Sequence, residues 1–257
     1  MIEKDSPDFV SSFARGLAVI RTFGHETPRQ TLTEVAERAG MARAASRRFL
    51  LTLCAMGYAR TDGKYFELTP QILEIGYSYL SSLSLTDTLL PFLRRVTETL
   101  QESSSAAVLD GEYVVYVARS AARHRVMAFT LSVGAKLPAH CTSMGQALLA
   151  YLPPEELSRF LAEAKLEGYT PGTITSPDEL RARLAEVRER GWAQCNEELE
   201  IGLRSVAVPI HDRYGAVNLA MNVSVQAMRV PADVLIRDYL PVLQESAAAF
   251  ERTQRLL

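Results

Sequence analysis

Apolar positions at helical spacing in Phe13, Leu17, Val19 and Ile20 predict an amphipathic helix over 13–23, with Ser12 in front of it and a polar tail of about ten residues ahead. Gly24 to Gln30 carries Gly and Pro and reads as a loop. Leu32 to Gly40 predicts a short helix, with Thr33 as N-cap, Glu37 close to capping-box spacing and Gly40 as the stop. Met41 to Gly57 predicts a longer helix. Ala45, Phe49 and Leu53 repeat every four residues there, and Leu50 and Met56 widen the face. Tyr58–Arg60 and Lys64–Leu68 are strand-like runs across Thr61-Asp62-Gly63, and Asp-Gly is a hairpin signal. Pro70, at a suitable first position, opens a helix expected to reach Ser84.

The pattern then changes. A helix over 86–102 is followed by strands near 105–109, 113–119 and 126–132, and by helices over 142–151, 153–165 and 178–190. Strands near 192–196, 204–210 and 216–225 and a terminal helix over 232–256 complete the chain. This order predicts an α+β domain on an antiparallel sheet. The expected organisation is a winged helix-turn-helix domain (1–69), a linker helix (70–84) and a larger second domain (85–257). Charge shifts at the same place: residues 1–69 hold ten Lys+Arg and eight Asp+Glu, a net of +2, and the remainder carries a net of −4.

At 257 residues the chain is long enough for two domains, and 47% hydrophobic with 23% charged residues is an ordinary globular balance. A net charge of −2 means that a nucleic-acid reading must rest on where the charge sits. Apolar runs such as Tyr113–Ala118 are strand-length, so no membrane contact is expected. The acidic start lacks the order of a secretory signal, and Cys54, Cys141 and Cys195 show no CxxC spacing, so reduced packing thiols in the cytoplasm are expected. His140 and Cys141 are adjacent rather than at a spacing that makes a nucleophile–base pair, and Asn196-Glu197-Glu198 lacks an acid/base partner. Phosphate-loop, dinucleotide and hydrolase motifs are missing, as is metal spacing, so no enzyme, cofactor or metal is expected.

A short helix, a Gly turn and a second helix form a helix-turn-helix, whose second helix enters the major groove. Arg43 and Arg47 are one turn apart there, with Ser46 and Arg48 beside them, and Met41 to Arg60 holds four arginines and no acid. Arginine presents two parallel donors to guanine or phosphate. Arg60 and Lys64 flank the hairpin and suit a wing over the backbone. The alternative is a solvated arginine face, or a winged helix that binds protein. In the second domain, Leu137 to Gly145 enters a helix, where hydroxyls at Thr142 and Ser143 either receive a carboxylate or cap their own helix.

Residues 12–17, 32–40 and 53–58 resemble the DNA-binding module of IclR-family regulators. Leu68-Thr69-Pro70, Val133–His140, Thr142–Ala150 and Asn196–Arg204 are similar to that family's later signatures, in order and over nearly the whole chain. The resemblance implies a GAF-like effector-binding domain, dimers or tetramers, and palindromic promoter DNA as partner, with activation and repression both open. The Thr142–Gly145 stretch resembles the branch controlling breakdown of aromatic acids through protocatechuate and β-ketoadipate. DNA contacts are then expected at Arg15, Thr33, Arg43, Ala44, Ser46, Arg47, Arg48, Arg60 and Lys64. Ala42, Ala44 and Ala45 depart from the family's polar run and leave more of the reading to Arg43 and Arg47. Effector contacts are expected at Leu137, His140, Thr142, Ser143, Met144, Cys195, Leu203, Ser205, Ala220 and Asn222, with Phe129 and Met127 as apolar wall; Arg119, Arg123 and Arg125 are either carboxylate partners or solvated, and His140 is either a ligand contact or structural. Cys195 and Ala220 stand where the family has an acid and a hydroxyl, which implies a ligand other than the smallest keto acids. The expected function is a DNA-binding transcription regulator modulated by a small organic acid. A ligand-sensing protein-interaction module and an enzyme acting on such an acid are the alternatives.

Overall fold

The computed structural model describes residues 5–24, 26–76, 85–122 and 132–255, excepting the side chains of 85–87. The chain divides into two compact units, Met1–Tyr79 and Leu80–Leu257. The first contains α1 (Ser11–Arg21), β1 (Arg29–Thr31), α2 (Leu32–Arg38), α3 (Arg43–Ala55), β2 (Ala59–Thr61) and β3 (Tyr65–Leu68), with the strands in the antiparallel order β1-β3-β2. The helices close on a core of Val19, Val35, Leu50, Leu53, Ala59 and Phe66.

Two local expectations change. The cap of α2 is Thr31 rather than Thr33: the Thr31 side chain accepts the Glu34 N–H, and the Glu34 carboxylate accepts the Thr31 N–H at 2.7 Å. That box begins one residue before the apolar run and fixes the end of β1, so part of the expected loop is a strand. On α3, Ser46, Leu50 and Leu53 form the buried stripe, whereas Met56 is exposed. Beyond Thr69, Pro70–Ile72 is a 3₁₀ turn and residues 73–76 are helical. The rest of the expected linker, 77–84, lies outside the described residues.

The second unit is built on a six-stranded antiparallel sheet ordered β6-β5-β4-β9-β8-β7. Its strands are β4 (Ser103–Asp110), β5 (Tyr113–Ser120), β6 (Lys136–Pro138), β7 (Ala193–Asn196), β8 (Leu203–His211) and β9 (Val217–Gln226). The strand expected over 126–132 falls mostly outside the described residues. The helices are α4 (Leu85–Leu100), α5 (Ser143–Leu149), α6 (Pro154–Glu163), α7 (Pro177–Arg190), α8 (Ala232–Val234) and α9 (Leu240–Gln254), with a π turn at Leu235–Tyr239. Pro241 has no N–H to bond to the carbonyl four residues back, which accounts for the widened turn.

Period-2 alternation sorts the sheet into two faces. Val206, Val208, Ile210, Met221, Val223 and Val225 pack with Leu93, Val96, Leu243 and Phe250 from α4 and α9. The opposite face carries small and polar residues in cross-strand rows. One row runs Arg119, Ser105, Asn222, Ala207, Ala193, and the next runs Ser103, Ser224, Ser205, Cys195. A register shift between Ala106 and Ala107 puts Val117 and Ala118 both on the α4 side and returns Arg119 to the small-residue face. Onto that face settles α5, every residue of which is buried.

The close approach of α5 rests on Gly145. A Cβ there would overlap the backbone of Ala139, its carbonyl oxygen first. Gly145→Ala is therefore expected to destabilise the second unit by about 1–3 kcal/mol or more. Gly168→Ala, which meets only an ordinary contact with Thr175, is the control. Urea unfolding of the two variants measures the difference, and equal stabilities would contradict this packing.

Candidate DNA interface and effector pocket

Arg43, Ala44, Arg47 and Arg48 lie exposed on α3, and no acidic residue occupies its first turn. Three cations in the first half of a helix oppose its dipole, an arrangement that an anion at the same face offsets. Ser46 is a correction: it faces the core with Leu50 and Leu53, fully buried, and is unavailable to a base edge. Thr33 is half-buried at the start of α2, and Arg15 is exposed on α1.

The wing is preorganised by Asp62. Its Oδ1 accepts the backbone N–H of Lys64 at 3.0 Å and of Tyr65 at 2.7 Å, which holds this carboxyl below the usual carboxylate range. Gly63 takes φ +96°, the left-handed region a tight hairpin requires. Of the wing cations, Arg60 pairs with Glu67 at 2.7 Å, and Lys64 lies over the Tyr65 ring, 5.0 Å from its centroid. Arg29 pairs with Asp62.

In the second unit, Thr142 and Ser143 divide the two roles open to them. Thr142 caps α5: its Oγ1 accepts the Gly145 N–H at 3.3 Å and donates to the Pro138 carbonyl at 2.9 Å. The Ser143 hydroxyl is buried and makes no hydrogen bond among the described residues, and neither does Asn222 Oδ1. Both residues line a cavity between the start of α5 and the serine row, together with Met144, Leu137, Leu203 and Ser205. Thr142 and Cys195 line it as well. Its volume is about 20 Å³, room for about one water, so an organic ligand must push the walls apart.

Two residues expected at the effector do not line this cavity. His140 faces a separate small cavity with Glu112, Glu167 and Tyr169, and its Nε2 is 3.0 Å from the Glu167 carbonyl. Ala220 lies deeper under α5, in the row with Ala107 and Pro209, where small side chains admit the helix. Phe129, Met127, Arg123 and Arg125 lie outside the described residues. Arg119 is half-buried on the pocket face of the sheet, with Nη1 3.4 Å from Ser105 Oγ.

Five cavity residues escaped sequence reasoning as contacts: Tyr116, Cys141, Glu198, Leu199 and Ser224. Ser224 follows Ala220 and Asn222 at period 2 and could have been found. Glu198 sits in an irregular loop with no periodic signal. Burial pushes the Tyr116 phenol and the Cys141 thiol up to about 12 and the Cys195 thiol well above its usual value. These thiols are protonated packing groups rather than nucleophiles. A larger groove of about 480 Å³ beside Leu152, Phe160 and Val217 is open and flanked by Glu156, Arg159 and Glu163. The smaller cavity is the better candidate, because buried polar atoms there await partners.

A winged helix with bare arginines, and a second unit enclosing an unsatisfied polar cavity, define a ligand-responsive DNA-binding protein. Residues 12–63 match the IclR helix-turn-helix domain, and residues 77–252 match the C-terminal domain of the bacterial transcriptional regulator IclR. The chain belongs to the IclR family of transcriptional regulators. It is 43% identical over 237 residues to the Pca regulon regulatory protein of Pseudomonas putida, spanning 92% of this chain and 81% of that protein. It is 37% identical to the p-hydroxybenzoate hydroxylase transcriptional activator of Acinetobacter baylyi, over 93% of this chain and 90% of that one. The structure of an IclR homolog from Microbacterium hydrocarbonoxydans, complexed with 4-hydroxybenzoate, matches with a TM-score of 0.84 at 26% identity, covering 96% of this chain and 100% of that one. No helix among the described residues is long and apolar enough to cross a membrane.

Burial lowers the pKa of His140 from its ordinary 6.5, against the opposing pull of the Glu167 carbonyl and nearby carboxylates. The folded protein thus prefers the neutral ring. This contribution is full above pH 6.5 and is lost as pH falls from there towards the folded-state pKa. Between pH 7.5 and about 5.5 the wild type is expected to lose more unfolding free energy than His140→Gln. Parallel losses in urea titrations would contradict the lowered pKa.

Proposed function

We propose that this regulator binds a two-fold promoter site as a dimer, and that an aromatic carboxylic acid entering the cavity under α5 shifts its affinity for DNA. The observation that carries the effector reading is the pair of buried, unpartnered polar atoms, Ser143 Oγ and Asn222 Oδ1. A buried polar group without a partner costs about 1–3 kcal/mol, and a ligand that satisfies both recovers that energy on binding. Met144, Leu137 and Leu203 supply apolar surface for a ring, and Arg119 a cation on the same sheet face. The 4-hydroxybenzoate bound by the Microbacterium homolog supports an aromatic acid as the class.

The dimer reading rests on α1. Val10, Phe13 and Leu17 form a stripe at spacings of three and four residues and are 63%, 68% and 39% exposed. A second copy of the chain covers such a stripe and pairs the two recognition helices for a palindrome. Leu73 and Ile75 are also exposed. The site of action is the cytoplasm, where promoter DNA is found. Residues 1–69, 70–84 and 85–257 act as reader, linker and sensor.

Arg47→Ala is expected to lower affinity for the cognate operator by about 1–3 kcal/mol, while Lys64→Ala weakens binding to all sequences and lowers the salt slope. Gel-shift titrations on cognate and scrambled duplexes separate these outcomes, and equal losses on both for Arg47→Ala would remove its base-reading role. On the effector side, 4-hydroxybenzoate is expected to change operator affinity by about 5–150-fold, and Ser143→Leu to abolish the change while leaving ligand-free DNA binding intact. A Ser143→Leu protein that responds normally would place the pocket elsewhere.

A further inference from the structure

Glu198 is the one carboxylate lining the cavity among the described residues. It is 5% exposed and borders two spaces, the cavity on one side and a polar surface groove with Arg183, Gln194 and Asn196 on the other. Its two oxygens have different partners. Oε1 accepts from Arg183 Nη1 at 3.3 Å, reached from the groove, and Oε2 accepts from Gln146 Nε2 at 2.8 Å, on α5. The same amide also donates to the His140 carbonyl at 2.9 Å, so the geometry around Glu198 is tied to the helix that carries Ser143. The loop is fixed from outside as well. Thr170 Oγ1 donates to the Glu197 carbonyl at 2.6 Å and Thr173 Oγ1 to that of Glu198 at 2.5 Å, and Glu197 is held at φ +58°.

A carboxylate offers about four lone-pair directions. Gln146, Arg183 and the Cys195 thiol take part of that capacity, and Glu198 lines the cavity with the remainder. At the far side of the same sheet face stands Arg119, which has no ion pair among the described residues and only a 3.4 Å contact to Ser105 Oγ. Arg119 thus stands on the same sheet face across β4, outside the cavity lining, and Glu198 lies within the lining beyond β7, with neutral hydroxyls and the Asn222 amide between.

Building on the effector reading above, we infer that Glu198 sets effector specificity: it accepts a hydrogen bond from a ring hydroxyl of the effector and excludes ligands that bring a second carboxylate to that end. The ligand class is a hydroxylated aromatic monocarboxylate, its carboxylate towards the Arg119 side and its hydroxyl towards Glu198. A linear dicarboxylate of similar length sets an anion against a buried one.

Three probes of one shape test this on the full-length protein by isothermal titration: 4-hydroxybenzoate, benzoate and terephthalate. In the wild type, 4-hydroxybenzoate is expected to bind at least about tenfold more tightly than benzoate, as for a hydrogen bond to a charged acceptor, with terephthalate weakest. Glu198→Gln is expected to bring 4-hydroxybenzoate and benzoate within about threefold of each other and to tighten terephthalate. Thermal melting and operator binding report whether that variant is folded, and the wild-type ranking needs no variant. Terephthalate binding to the wild type as tightly as 4-hydroxybenzoate overturns the inference, as does an unchanged selectivity ratio in folded Glu198→Gln. If the wild type binds all three acids equally, Glu198 sets no specificity but the pocket stands. If it binds none of them, the aromatic-effector reading fails and the inference with it.

Discussion

The second unit depends on how closely a helix lies against a sheet. Gly145 brings α5 into contact with the backbone of Ala139, and Ala107, Ala207, Ala220 and Ala193 give the sheet a low floor where it lands. That contact decides where the polar groups go. With α5 seated, Thr142 spends its hydroxyl on the cap, and Ser143, one residue on, is turned into the interior without a partner. Larger residues in the floor would lift the helix and open the space to water. A buried cavity with two unsatisfied polar atoms is therefore a product of small-residue packing, and its small volume makes binding a matter of displacing walls already in contact.

The first unit follows a different logic. Its stability resides in a small core and a capping box, while the start of α3 carries arginines that do nothing for the helix. The wing shows the same division. Asp62 fixes the hairpin with two backbone hydrogen bonds, Arg60 is tethered to Glu67, and Lys64 lies over Tyr65. Arg43, Arg47 and Arg48 carry no ion pair among the described residues. Local electrostatics thus leaves positive charge least compensated on the helix that fits a major groove.

Much of this was legible along the chain, because period-2 and period-3.6 patterns are written residue by residue. Strands β4, β5, β7, β8 and β9, helix α7 and the Asp62-Gly63 hairpin all follow from such local signals. The misses share a cause in longer-range geometry. Ser46 belongs by composition with the arginines, but the helix places it in line with Leu50 and Leu53. The short β6 strand forms only because β5 offers it an edge. His140 and Cys141 are neighbours in sequence yet line different cavities. Glu198 entered the pocket through a loop whose shape is set by Thr170 and Thr173 from another segment, a relation that no local pattern records.

The location of the effector pocket is tested most directly by a crystal structure of this protein grown with 4-hydroxybenzoate. The ring is expected beside Met144 and Leu203, with one polar end of the acid within hydrogen-bond distance of Ser143 Oγ or Asn222 Oδ1 and the walls spread relative to the present cavity. A ring seated instead in the open groove by Leu152, Phe160 and Val217, with Ser143 and Asn222 still unpartnered, would contradict it.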